Sequence, residues 1–268
     1  MVGMRLFDSH CHLDDRAFDP DIDAVIARAR DAGVASLMVV GIDDKSSQKA
    51  VRIAQSDNGI FASVGVHPHD SKECSDAILN QLRDLSEHPK VKAWGEIGLD
   101  YNRMFSPKAI QEKWFERQLE IALDLDLPVI LHERDTRGRL MEILSSCGLP
   151  GKDAVVHCFS GTAKELTAYI DADFYIGVTG ILTLIDRGSD LRSMIPMVSK
   201  ERLLVETDAP YLTPYPEKKH TRRNEPAFVK SVLLTLAQVR KEDPKDLADA
   251  VWENTCRLYR IVRREPSP

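Results

Sequence analysis

Short runs of β-branched and aliphatic residues alternate along the chain with longer stretches whose apolar positions recur at helical spacing. The short runs are Arg5–His12, Ala35–Gly41, Ile60–His67, Val91–Gly98, Pro128–His132, Ala154–Phe159, Phe174–Val178 and Leu203–Asp208. Between them, amphipathic stretches such as Asp21–Ala32, Lys45–Ser56, Pro107–Leu125, Asp135–Cys147 and Glu225–Val239 predict helices. Strands that alternate with helices imply parallel pairing, and continuous apolar runs suit strands buried on both faces. Eight such units predict an α/β fold, a single (β/α)8 TIM barrel forming one domain over residues 1–268. A doubly wound open sheet is the alternative, but no Gly-rich GxGxxG turn follows a strand. Pro244–Val262 predicts an extra C-terminal helix packed on the outside, and Pro210–Asn224 a loop over the barrel mouth.

Composition narrows the setting. The length of 268 residues is close to the roughly 250 of one such barrel. No apolar run approaches the ~18 residues that span a bilayer, and the start has no basic region leading into an apolar one, so neither a membrane nor a secretion signal is expected. Met4 is an alternative start. The five cysteines are scattered, with no CxxC pair, which predicts a reducing, cytoplasmic setting rather than a disulfide framework. A formal charge of −6 argues against a general nucleic-acid binder, but local arginines or bound metal can reverse the sign inside a pocket. No obligate protein partner is expected.

The chemistry lies at the C-terminal ends of the strands, which in a barrel converge on one mouth. Five of the eight histidines, His10, His12, His67, His132 and His157, fall there, together with Glu96 and Asp208. Alternation along the first strand predicts that His10 and His12 point together while Cys11 points away. An HxH pair on a strand can arise by chance, and His132 or His157 alone reads as an ordinary core histidine. Six candidate ligands (His10, His12, Glu96, His132, His157 and Asp208) at one rim read as a metal site, because buried imidazoles and carboxylates need partners or a cation. Such ligands suit one or two divalent ions, Zn²⁺ or Mn²⁺, with Mg²⁺ open to a carboxylate-bridged pair. His88 and His220 lack a strand-end context and are expected to face solvent. Asn224-Glu225-Pro226 reads as a helix start with Asn224 as N-cap.

The chain resembles the TatD family of metal-dependent deoxyribonucleases, within the amidohydrolase-like barrels. The resemblance is carried by Asp8-Ser9-His10-Cys11-His12-Leu13, Gly65-Val66-His67-Pro68, Gly95-Glu96-Ile97-Gly98-Leu99-Asp100-Tyr101 and Leu131-His132. It continues through His157-Cys158-Phe159-Ser160-Gly161, Glu206-Thr207-Asp208-Ala209-Pro210-Tyr211-Leu212 and Arg223-Asn224-Glu225-Pro226. It implies that His10 and His12 hold one metal with Glu96 and Asp208, and that His132 and His157 hold a second, with Glu96 between the two. Glu96 stands where many amidohydrolase-like barrels carry a modified lysine, and Glu133 stands before Arg134 where the family commonly has a small residue.

The expected activity is hydrolysis of phosphodiester bonds in DNA by a metal-activated water, with 3′–5′ exonuclease polarity implied by the family. Asp208 and Glu96 are the candidate catalytic carboxylates, Asp208 as general base. His67, Arg134 and Arg223 are expected to steady charge on the phosphoryl oxygens, and Tyr101 and Tyr211 to stack on or hydrogen-bond the terminal nucleotide. The rival expectation is an amide or ester hydrolase, or a deacylase acting on aminoacyl-tRNA, built on the same metal centre. A non-catalytic binding protein is the rival from another class.

Overall fold

The structure is a computed structural model and describes residues 4–261. Met1–Gly3, on which the choice of start bears, and Val262, the expected end of the last helix, lie outside the described residues. The strands are β1 (Leu6–Cys11), β2 (Val34–Val40), β3 (Ile60–Val64), β4 (Val91–Asp100), β5 (Val129–Arg134), β6 (Ala154–Val156), β7 (Tyr175–Val178) and β8 (Leu203–Val205). Each pairs in parallel with the next, in chain order. The ring closes where the Asp208 amide donates to the His10 carbonyl at 2.9 Å and the His12 amide to the Ala209 carbonyl at 2.7 Å. The expected TIM-barrel fold is the observed one.

The helices are α1 (Ile22–Asp31), α2 (Asp44–Gln55), α3 (Asp76–Ser86), α4 (Lys108–Asp124), α5 (Arg139–Cys147), α6 (Ala163–Asp171), α7 (Ser189–Met194), α8 (Val229–Arg240) and α9 (Pro244–Leu258). Local chemistry sets several starts. Asp43 with Ser46 and Thr162 with Glu165 form reciprocal capping boxes ahead of α2 and α6. α5 begins four residues later than its periodic stretch, because Asp135, Arg137 and Gly138 turn through positive φ first. α8 is preceded by a short 3-10 turn, Pro226–Phe228.

Two cores flank the strands. Leu6, Leu37, Val39, Val129 and Leu131 face helix residues such as Leu79, Phe115 and Val232. Phe7, Met38, Val40, Ala93, Ile130, Val155, Tyr175 and Leu204 fill the barrel interior. Adjacent residues thus serve opposite cores, as the pleat requires. Each fully buried large aliphatic or aromatic side chain contributes about 1.5–3 kcal/mol. α9 departs from expectation. It lays Trp252, Cys256 and Tyr259 against the interior cluster, with the Phe7 and Trp252 rings 5.6 Å apart, rather than only covering the outer face. Trp252 and Cys256 line a cavity with Arg5, Ala35, Gly59 and Lys92, so α9 caps the barrel end opposite the candidate site, where large inward side chains would otherwise meet water.

Candidate metal centre

Inward alternation continues from the core to the rim. Ile130 leads to His132, Val155 to His157 and Leu204 to Glu206. Two strands break that phase. From Phe7, strict alternation would turn His10 and His12 outward, but a register irregularity between Asp8 and Cys11 reverses it. Cys11 then joins the outer core, its thiol 3.3 Å from the Met38 carbonyl, and the two imidazoles turn inward. In β4 an irregularity between Trp94 and Ile97 brings Glu96 in after Ala93. Close packing behind Glu96 demands glycine at Gly98, where φ is +146° and a Cβ would lie 2.0 Å from the His132 carbonyl oxygen.

Glu96 occupies the middle of the arrangement. Its Oε2 lies 3.4 Å from His10 Nε2 and 3.9 Å from His12 Nε2. Its Oε1 lies 2.7 Å from His132 Nδ1, 3.5 Å from His67 Nε2 and 3.8 Å from His157 Nε2. Asp208 faces the first side, with Oδ1 3.4 Å from His12 Nε2 and 3.8 Å from both His10 Nε2 and His157 Nε2. Its backbone sits at φ +57°, a region aspartate tolerates better than most residues. All six expected ligands therefore meet at one rim.

His132 and His157 both face Glu96 Oε1, and each has further partners of its own. The His157 ring stacks on His10 with centroids 3.5 Å apart, and its Nδ1 contacts Glu206 Oε1 at 2.9 Å. His132 also neighbours His67 and His69: His67 Nε2 is 3.1 Å from His132 Nδ1, and Asp100 Oδ2 lies 2.7 Å from His69 Nε2 and 3.3 Å from His132 Nε2.

The donor set fits a cation. His12 Nδ1 donates to the Val40 carbonyl at 3.1 Å, so neutral His12 presents a lone pair at Nε2. That lone pair faces Asp208 Oδ1, and His10 Nε2 lies 3.2 Å away. Electron-rich atoms at these separations repel unless a proton or a metal ion stands among them. Without an ion, protons on His12 and His132 take that place. Burial depresses the His12 imidazole, but Asp208 outweighs it and carries the group up to about 10. Burial likewise opposes protonation of His132, yet Asp100 and Glu96 raise it to about 9. Burial and then the neighbouring His132 push His67 down to about 3. Burial would raise the Glu96 carboxyl, but the surrounding imidazoles hold it well below its ordinary range.

These groups open into a cleft of about 720 Å³ whose walls include Arg103, Phe105, Arg134, Arg187 and Tyr211. Among the described residues, no carboxylate pairs with the guanidinium groups of Arg103, Arg134 or Arg187. Phe105 is 55% exposed, its ring edge-on to His69 at 4.8 Å. Tyr211 is exposed, lies 6.1 Å from the His12 ring and donates to Asp15 at 3.0 Å.

Two expected substrate contacts and one expected helix cap have other roles. Tyr101 donates to Glu112 at 2.5 Å beneath the Lys108 ammonium and lines a different pocket, because its backbone follows β4 outward over α4. Arg223 is bound bidentately to Asp21 and also to Glu225, which ties the mouth loop to α1 and leaves its guanidinium outside the cleft walls. Asn224 is not an N-cap. Its buried amide donates to the Thr207 and Tyr211 carbonyls at 2.8 and 2.6 Å, which clamps the turn that carries Asp208.

His69, Asp100, Phe105, Arg187 and the His157 partner Glu206 were not singled out from sequence. His67-Pro68-His69 repeats the HxH spacing of β1, which was a usable signal for His69. Asp100 ended a quoted motif but offered no partner until His69 and His132 were placed. Arg187 and Phe105 lie in loops without periodicity, so nothing local marked them.

A family profile described as TatD related DNase matches residues 7–260. The 3′-5′ ssDNA/RNA exonuclease TatD of Escherichia coli K12 is 41% identical over 261 residues, spanning 96% of this chain and 100% of that protein. The crystal structure of YjjV, a TatD homologue from Escherichia coli K12, superposes with a TM-score of 0.89 at 32% identity, covering 97% of this chain and 99% of that one. A TatD family hydrolase from Entamoeba histolytica gives a TM-score of 0.87 at 25% identity, with 97% and 99% covered.

Proposed function

This chain belongs to the TatD related DNase family, and from that premise we propose that it is a divalent-metal-dependent 3′–5′ exonuclease acting on single-stranded nucleic acid, DNA foremost. The observation that carries the reading is Glu96, whose two oxygens face separate groups of imidazoles inside a cleft walled by arginines free of carboxylate partners. His10, His12, Asp208 and Glu96 would hold one ion; Glu96 with His132 and His157 would hold the other, His67 standing close enough to assist. Bound Mg²⁺, Mn²⁺ or Zn²⁺ would supply Lewis-acid charge and a water of lowered pKa.

The chain's own groups do the rest. Asp208 receives the proton of the attacking water, since its carboxylate is the most accessible of the central acids and is held below its usual range by His12 and His157 against the pull of burial. Arg134, with Arg103 and Arg187, neutralises the phosphate bound in the cleft. Phe105 and Tyr211 offer exposed rings for the bases, the part first expected of Tyr101 and Tyr211. The cationic wall favours an anionic substrate over the neutral one an amide hydrolase would take. The free thiols of Cys11, Cys74, Cys147, Cys158 and Cys256 support a cytoplasmic location. Among the described residues no helix is long and apolar enough to cross a membrane.

Hydrolysis of end-labelled single-stranded DNA across a metal series tests the reading. Asp208→Asn should lower kcat by about 100-fold to 10,000-fold, the range of a general base. Glu96→Gln should abolish turnover, and EDTA should do so reversibly. Wild-type rates in either variant would refute the assignment.

A further inference from the structure

Next to the metal cleft lies a second cavity of about 770 Å³, and Arg134 and Arg187 belong to the walls of both. It is built from the β5–α5, β6–α6 and β7–α7 connections, on the same rim of the barrel as the cleft. Its four carboxylates, Glu133, Asp135, Glu165 and Asp190, each accept a hydrogen bond, Asp190 from Ser189 Oγ at 3.3 Å. Glu133 accepts from Thr136 Oγ1 at 2.7 Å, Glu165 from the Thr162 amide and hydroxyl at 2.8 Å each, and Asp135 from Asn102 Nδ2 at 2.6 Å. Its guanidiniums, those of Arg134, Arg137 and Arg187, have no ion-pair partner among the described residues, although elsewhere in the chain Arg28, Arg139, Arg202, Arg223 and Arg260 are each fastened to carboxylates. The first turn of α6 at Ala163 also lies in this wall and adds the positive end of its dipole.

A strand that enters the cleft by its end must carry its remaining phosphates over the adjoining surface. The shared wall at Arg134 and Arg187 makes the second cavity the continuous route. Unpaired guanidiniums on a cavity wall are suited to phosphate oxygens, which they can bind through two parallel hydrogen bonds. We propose that this cavity is an upstream subsite for single-stranded nucleic acid, in which Arg137 holds a backbone phosphate on the 5′ side of the scissile bond and Arg187 joins the subsite to the cleft. The proposal rests on the nuclease reading and extends it, because it assigns a residue, Arg137, that sets substrate length rather than chemistry.

Cleavage of a dinucleotide and a hexanucleotide by wild type, Arg137→Gln and Arg187→Gln separates the two claims. Wild type should show a lower KM on the hexanucleotide. Arg137→Gln should raise that KM about fivefold, the scale of one partly solvated charge contact. It should also flatten the dependence of log KM on log salt by about 0.7, as expected for one lost phosphate contact on a single strand. The penalty should be absent on the dinucleotide, which ends before Arg137. Arg187→Gln should raise KM on both lengths, because Arg187 stands at the junction. Equal KM for the two lengths in wild type, or the same penalty from Arg137→Gln on both, would overturn the subsite while leaving the nuclease reading intact. If wild type cleaves neither substrate, the nuclease reading fails. Fluorescence anisotropy of a labelled hexanucleotide then decides the subsite, since equal binding by wild type and Arg137→Gln rules it out.

Discussion

Five imidazoles crowd the two oxygens of Glu96, and without an ion protons on His12 and His132 balance the central carboxylates at neutral pH. His12 is held up to about 10 and His132 up to about 9, in each case by carboxylates that outweigh burial. A divalent ion must therefore displace protons when it binds, and its apparent affinity should rise with pH from neutrality toward about 9 to 10. Calorimetric titration of the metal-free protein in buffers of different ionisation heat measures the protons released. Affinity that stays flat across that range, with no proton release, would contradict the protonation pattern. Residue identity at these positions was legible early, because imidazoles and carboxylates at strand ends stand out against apolar runs. Their partners were not. His157 and His132 look equivalent in sequence, yet one stacks on His10 and the other bonds Asp100.

At the scale of elements, the segment between β8 and α8 shows why a polar loop is read poorly from its letters. Arg223 and Asn224 are neighbours with unlike fates. Arg223 is a partly solvated brace to Asp21 and Glu225, so Arg223→Ala should lower Tm slightly and leave kcat/KM near wild type. Asn224 is fully buried, and Asn224→Ala leaves the Thr207 and Tyr211 carbonyls without their donor. That should cost about 2 kcal/mol and lower Tm by about 4–8 °C. Because those carbonyls flank Asp208, turnover should fall as well. Thermal melts and kinetics on both variants check the contrast. An Arg223→Ala protein that melts normally but loses activity would restore the substrate contact expected of it. The regular elements were easier. Their apolar periodicity predicted β1 to β8 and most helices, with errors at ends such as α5, where positive-φ residues delay the first turn.

For the whole molecule, the site couples stability to metal and to pH. His12 and His132 have folded pKa values raised above the ordinary imidazole value of about 6.5, so their stabilising protonation is complete below that value. It is lost as pH rises through about 9 to 10, where Glu96 and Asp208 are left without cationic partners. Metal-free protein should therefore lose Tm progressively from about pH 7 up to about pH 9 to 10, whereas metal-loaded protein should hold it, the gain growing with metal concentration by linkage. Parallel melts with EDTA and with Mn²⁺ across pH provide the check, and identical curves would sink the coupling. The sequence by itself determined the alternation of buried runs and amphipathic stretches, and with it a parallel barrel whose rim collects the polar residues that end each run. Periodicity is a local property, and local spacing suffices to state it. Tertiary structure alone decided which side chains meet. The phase reversals in β1 and β4 that turn His10, His12 and Glu96 inward exist only in register with neighbouring strands. The arginines that share two cavities, Arg134 at the end of β5 and Arg187 ahead of α7, are far apart along the chain and meet only in the folded barrel.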